Sequence, residues 1–186
     1  MDPSKLVKLQ DMIYKPGVGF DSKYQDIECL KFIGYIPSHK SWKIIKPLVK
    51  WKEKLVYDMS CFNGYFLFKT IDEGAHPFSV GFDRAIPALK VCELINQIRG
   101  GEALFSFWKA GDDIPNPVPH IMLCLNCLHH YKEQKEPFLQ KIRAKECIIF
   151  EINNLTAFEP ISIAAYFLIV RFKASKFPYI FIVSIK

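Results

Sequence analysis

The stretch from Leu55 to Phe66, Leu-Val-Tyr-Asp-Met-Ser-Cys-Phe-Asn-Gly-Tyr-Phe, constrains the fold more than any other part of this chain. A short apolar run ends in an acid, a turn containing glycine follows, and an apolar helical pattern starts at once. Lys54 to Asp58 reads as a buried strand, Ser60 to Gly64 as a turn, and Tyr65 to Ile71 as the opening of a helix. A strand that hands over so directly to a helix places free backbone N–H groups beside its C-terminal edge. The positive end of the helix lies there too, so the edge suits a ligand with anionic or acceptor groups. A second acid, Asp83, closes the next strand candidate, Phe78 to Phe82, about 20 residues later, where a ribose-binding carboxylate belongs in a dinucleotide-type βαβ unit.

The remaining sequence keeps alternating between the two kinds of element. Glu73-Gly74-Ala75-His76-Pro77 stops the first helix. Pro87 to Arg99 carries Leu89, Cys92, Leu94, Ile95 and Ile98 at near-helical spacing, and Gly100-Gly101 ends it. Glu102 to Phe107 is β-rich, and Gly111 to Pro119, with its prolines and aspartates, is a surface loop. His120 to Asn126 is apolar without alternation, as a parallel strand covered on both faces must be. Glu133 to Ala144 reads as a helix and Cys147 to Glu151 as another buried strand. Phe167 to Phe172 and Tyr179 to Ile185 form a terminal antiparallel hairpin around Lys173 to Pro178. The expected fold is α/β, a doubly wound and mostly parallel sheet in a three-layer αβα arrangement with a C-terminal antiparallel hairpin.

With 186 residues, half of them hydrophobic and 15% aromatic, the chain has the length of one domain with an ordered core. Its longest uncharged apolar run, Ile161 to Val170, is too short to span a bilayer, and the amino terminus has no signal-peptide pattern. A cytoplasmic protein is expected. Cys29, Cys61, Cys92, Cys124, Cys127 and Cys147 follow no framework spacing and read as reduced, mostly buried thiols. Cys124-x-x-Cys127 followed by His129-His130 suggests zinc at first sight. A strand points Cys124 into the sheet packing, however, and no second Cys/His pair stands at metal spacing, so no metal is expected.

Four segments carry a family resemblance: Asp58-x-Ser60-Cys61-x-x-Gly64-Tyr65-Phe66, Gly74-Ala75, Val80-Gly81-Phe82-Asp83, and Leu123-Cys124-Leu125-Asn126-x-x-His129-His130. In order and spacing they resemble the successive motifs of class I S-adenosylmethionine (SAM) dependent methyltransferases, from about Trp42 to the C-terminus. That family's first motif is usually Asp/Glu-x-Gly-x-Gly-x-Gly. This chain keeps the last glycine, Gly64, and has Ser60 and Phe62 at the other two positions. The resemblance implies a seven-stranded sheet in a domain over residues 38–186, with residues 1–37 as an extension packed on it. It implies SAM as cofactor, with Asp58 orienting the turn and the methionine ammonium, and Ser60, Cys61, Phe62, Asn63, Gly64 and Tyr65 around the methionine and ribose. Asp83 would take the ribose hydroxyls, and Arg84 and Ala85 would lie against the adenine edge. Asp112 and Asp113 read either as acids approaching an adenine amine or as ordinary loop residues.

Methyl transfer from a sulfonium depends mainly on holding a nucleophile in line with the methyl carbon. The same resemblance puts Asn126 at the end of the strand beside the methyl donor, where it would suit either an acceptor amine or the cofactor's amino acid moiety. His129 or His130 either removes a proton as the methyl departs or shapes the cofactor pocket.

The acceptor is not written in any motif, but charge gives a lead. The net charge is +6, and between Ser38 and Lys54 six lysines (Lys40, Lys43, Lys46, Lys50, Lys52, Lys54) stand against one acid, Glu53. On a helix from about Ser41 to Trp51, capped by Ser38 or Ser41, Lys43, Lys46 and Lys50 share one face, either a landing strip for RNA or a phosphorylated metabolite or a plain solvated face. In some relatives, including those that modify wobble uridines in transfer RNA, a Lys or Trp upstream of the first motif reaches over the cofactor. Lys40 and Trp42 are the residues so placed, and the plainer reading of Trp42 is a core aromatic. Only about a dozen residues, Asn153 to Tyr166, are left for the connection that often carries a substrate-binding insertion. A large acceptor, a second subunit or the N-terminal extension must then supply the missing wall. RNA is slightly favoured over a small molecule as acceptor. The rival reading is a non-catalytic subunit of the same fold that recruits a partner. A nucleotide-dependent oxidoreductase is disfavoured because Gly-x-Gly-x-x-Gly is absent after the first strand.

Overall fold

The apolar runs of the sequence become strands and the periodic segments become helices in the computed structural model, which describes residues 2–14, 23–152, 170–173 and 179–184. In chain order the elements are α1 (Pro3–Tyr14), α2 (Ser38–Ile45), β1 (Val56–Met59), α3 (Tyr65–Asp72), β2 (Val80–Asp83) and α4 (Ile86–Arg99). They continue with β3 (Leu104–Phe107), β4 (Ile121–Leu125), α5 (Lys135–Lys141), β5 (Cys147–Ile152), β6 (Val170–Lys173) and β7 (Tyr179–Ser184). The strands form one seven-stranded sheet in the order β3-β2-β1-β4-β5-β7-β6. β1 to β5 run parallel, with Tyr57 of β1 opposite both Val80 of β2 and Met122 of β4. β7 pairs antiparallel with β5 and with β6, so the terminal hairpin closes one edge.

Period-two geometry sends alternate side chains to opposite faces, and both faces are covered, which is why β1, β4 and β5 are buried at every position. Tyr57, Met59, Met122, Cys124, Ile148 and Phe150 meet Trp108, Tyr131, Phe138 and Leu139 on the α5 side. Val56, Ile121, Leu123 and Ile149 meet Trp42, Ile45, Trp51, Tyr65 and Phe66 of the α2–α3 side. Full burial of one such aliphatic or aromatic side chain contributes roughly 1.5–3 kcal/mol, so these two layers dominate the stability. A third cluster joins Leu9 and Ile13 of α1 to Leu67 and Phe68 of α3 and Val91, Leu94 and Ile95 of α4. The amino-terminal helix is thereby packed on the layer that carries the first motif.

Several boundaries differ from the sequence reading. The lysine-rich helix ends at Ile45, because Pro47 starts a separate 3₁₀ turn over Lys46–Leu48. Neither serine caps it: Pro37 precedes the first turn, and Ser41 Oγ donates instead to Glu151 Oε1 at 2.5 Å. Trp42 is core, stacked at a tilt on Trp51 with 5.4 Å between ring centroids. The helix expected from Glu133 starts only at Lys135, after a 3₁₀ turn over Lys132–Gln134, and it stops at Lys141, where Ile142 turns extended. Glu28–Leu30 is a single 3₁₀ turn closed by a bridge between Ile27 and Phe32. Pro16-Gly17-Val18-Gly19, which its composition marks as a loop, and the short connection from Asn153 to Tyr166 lie outside the described residues. Among the described residues no helix is long and apolar enough to cross a membrane.

Candidate active site

The turn after β1 takes an unusual path. Ser60, Phe62 and Gly64 all have positive φ, at 60°, 54° and 82°. Only glycine takes this region without steric cost, so the two side chains hold it at roughly 1–2 kcal/mol each. The surroundings compensate. The backbone amide of Cys61 donates to Phe82 O and that of Gly64 to Cys61 O, both at 2.9 Å. Phe62 N–H donates to Asp83 Oδ2 at 2.9 Å, Cys92 Sγ reaches Phe62 O at 2.9 Å, and the hydroxyls of Ser60 and Tyr131 lie 2.9 Å apart. Gly64 has a second reason to be glycine, since a Cβ there would stand 2.9 Å from the Phe105 ring.

Asp83 is 7% exposed and fixed at the end of β2 by accepting from Phe62 N–H and, at 2.8 Å, from Ala85 N–H. A carboxylate has further lone pairs, and those of Asp83 border a cavity of about 740 Å³ along the C-terminal edge of β3, β2, β1 and β4. That volume falls in the range of small-molecule sites. Ser60, Phe62, Asp83, Arg84, Ala85 and Asn126 all line it, as do His129 and His130. Asp58, Cys61, Asn63, Gly64 and Tyr65 do not; they are buried beneath the turn. Asp58 is 1% exposed, and burial, reinforced by the Asp83 charge, pushes its carboxyl well above the ordinary carboxylate range. It accepts from the Leu67 amide near the start of α3, while its Oδ2 has no partner. Its place is under the turn, not on the cavity wall. The Cys61 thiol lies beside that of Cys92, and burial raises it well above the ordinary thiol range, as suits packing and not nucleophilic attack.

The opposite wall comes from the loop after β4. Asn126 has φ 50°, its N–H donates to Glu151 O at 2.8 Å, and its side-chain amide donates to the Tyr24 hydroxyl. His129 and His130 stack with 3.8 Å between centroids. Partial burial lowers the pKa of both imidazoles, and for His130 the neighbouring His129 and Arg84 push the same way against Asp83. Tyr24 and Gln25 close the cavity from the amino-terminal side, with the Tyr24 ring edge-on to Phe62 at 5.5 Å. Phe107 and Trp108 bound its far end.

Tyr24, Gln25, Trp108 and Tyr131 belong to no motif that sequence reading finds, and their convergence depends on contacts far apart along the chain. Trp42 and Lys40, which the sequence does suggest, do not line the cavity, and neither do Asp112 and Asp113. Asp112 accepts from Lys109 N–H, and Asp113 is an exposed acid paired with Lys141 at 3.0 Å. Lys46 pairs with Glu73, and Lys50 lines a groove with Lys54 and Glu146, which precede β1 and β5. Those lysines therefore face the N-terminal edge of the sheet, away from the cavity. Among the described residues no cluster of three His, Cys, Asp or Glu residues is arranged to hold a metal ion.

Solved structures share the fold of this chain. The bifunctional kinase-methyltransferase WbdD superposes with a TM-score of 0.73 at 16% identity, covering 95% of this chain and 46% of that one. The chain has the class I methyltransferase fold. A putative S-adenosylmethionine dependent methyltransferase from Listeria monocytogenes matches with a TM-score of 0.60 at 13% identity, over 79% of this chain and 97% of that one. Among curated proteins, the tRNA U34 carboxymethyltransferase of Helicobacter acinonychis is 29% identical over 115 residues, 60% of this chain and 44% of the relative. The chain thus spans less than half the length of that relative. No protein-family model matches the chain.

Proposed function

We propose that this chain binds S-adenosyl-L-methionine and transfers its methyl group to a nucleophile, with RNA favoured as the acceptor. The observation that carries this reading is the buried carboxylate of Asp83, held by two backbone amides at the end of β2 and bordering the 740 Å³ cavity. The cavity's two ends differ in chemistry as the cofactor's do. Phe107 and Trp108 offer an aromatic end for a purine, and Asn126, Tyr24 and Gln25 a polar end for an amino acid. When bound, the cofactor supplies an electrophilic methyl carbon on a sulfonium. Asp83 would accept from the ribose hydroxyls, Arg84 and Ala85 would border the base, and Asn126 would orient the amino acid or the acceptor. His129 and His130, neutral to lower pH than an ordinary imidazole because of burial, would take the acceptor's proton. The tRNA-directed name of the Helicobacter relative supports an RNA acceptor.

Titration calorimetry with SAM and S-adenosylhomocysteine tests the reading. One saturable site per chain is expected, with affinity reduced about tenfold or more in Asp83→Ala, as for loss of hydrogen bonds to a charged group. Absence of binding at millimolar ligand by the folded wild-type protein would reject it. It would favour the rival reading of a non-catalytic partner-recruiting subunit, in which Ser60 and Phe62 at glycine positions reflect a site that has given up its ligand.

A further inference from the structure

Residues 23–36 form a strap over the β1 and β4 side of the cavity. Asp26, buried at its centre, accepts from Gly34 N–H at 2.8 Å and from His39 N–H at 2.9 Å, and it lies 2.8 Å from His39 Nδ1. Tyr35 and Ile36 donate backbone N–H groups to Lys23 O and Tyr24 O at 2.9 and 3.0 Å. Asn63, inside the first motif, donates its side-chain amide to Gln25 O at 3.4 Å. Gln25 is therefore fixed between the strap and the motif turn. It is 6% exposed and lines the cavity, yet its Oε1 is buried without a hydrogen-bond partner. A buried acceptor left unpaired is unfavourable, and the strap that holds it there is otherwise well bonded.

We infer that Gln25 Oε1 receives the ammonium group of the cofactor's amino acid end, making the strap a part of the binding site. The sheet order supplies the direction. Asp83 sits on β2, with Phe107 and Trp108 beyond it on the β3 side, and the β1 turn, Asn126 and Gln25 on the other. With the ribose at Asp83 and the purine toward the aromatic residues, the aminoacyl chain runs toward Gln25. An unpaired carbonyl oxygen is an acceptor only, and an ammonium group is a donor only, so the pair is complementary. This inference rests on the SAM-binding reading above.

Gln25→Met keeps the side chain's length and removes the acceptor. Two probes separate its effects: S-adenosylhomocysteine, which carries the amino acid, and 5′-methylthioadenosine, which has the same thioether nucleoside without it. Calorimetry should show the variant binding S-adenosylhomocysteine about ten- to a hundredfold more weakly, the range for a hydrogen bond to a charged group, with methylthioadenosine unchanged. Equal losses for both probes, or no loss for either, would overturn the inference while leaving SAM binding in place. A wild-type protein that binds neither probe would remove the SAM-binding reading and this inference with it.

Discussion

Ser60 and Phe62 hold positive φ because Tyr131, Asp83 and Cys92 hydrogen-bond to the turn behind the cavity wall, and other single residues are just as tightly specified. Gly34 is one: a Cβ there would stand 2.4 Å from Gln25 C and 2.5 Å from Tyr24 O, both backbone atoms that cannot swing aside. Gly34→Ala should therefore destabilise the protein by about 1–3 kcal/mol in urea unfolding, the usual cost of overpacking. Glu151 is specified by charge. It is 3% exposed, and burial raises its pKa above the ordinary 4.5, partly offset by the Ser41 hydrogen bond. Its folded-state pKa exceeds the unfolded one, so the wild type is most favoured below about pH 4.5 and loses stability as pH rises toward the folded value. Glu151→Gln keeps an acceptor for Ser41 and cannot ionise. Unfolding at pH 4.5 and pH 7.5 should show the variant gaining on the wild type at the higher pH; a constant difference would contradict the assignment. Asp83 is legible in the sequence because it follows an apolar run at a set distance from the first acid. Gln25 is not, because nothing beside it along the chain announces the cavity it faces.

Among the elements, β3 is an exposed edge strand of four residues, with Leu104 and Phe107 about half in solvent. What ties it to the fold is Phe105, whose ring fills the space above Gly64 and Gly81 and meets Phe68 at 5.4 Å. Phe105→Ala should cost about 3 kcal/mol, the low end for loss of a phenylalanine because the ring is only partly buried, and denaturant unfolding would measure it. The interior strands are easy to read, since β1, β4 and β5 lack alternation and so must be covered twice. Helix α2 is harder. The lysine spacing continues past Ile45 as if the helix did, but Pro47 removes an N–H and clashes with the preceding turn, so a periodic pattern outlasts the structure that usually produces it. The hairpin of β6 and β7 is legible from two β-rich runs around a turn, although sequence does not say that β7 and not β6 pairs with β5.

Across the whole molecule, position decides which positive charges matter. Lys46 and Lys50 face the N-terminal edge of the sheet, whereas Arg84, Lys109 and Lys132 stand on the loops after β2, β3 and β4 around the cavity. For an RNA acceptor, reversing Arg84, Lys109 or Lys132 should weaken binding and lower the slope of log affinity against log salt by about 1 for each phosphate no longer neutralised. Reversing Lys46 and Lys50 should leave that slope unchanged, and a filter-binding salt series would distinguish the two sets. Composition indicates a basic surface, but only the sheet order tells which end carries the cavity. The cavity is also assembled from residues far apart along the chain: Tyr24 meets Asn126, Ser60 meets Tyr131, and nearby Ser41 meets Glu151. Closing such long loops is slow relative to local helix formation. The β1 turn and the Asp83 shelf can therefore form early from neighbouring sequence, while the polar end of the pocket must wait for the later strands, both in refolding and as the chain leaves the ribosome.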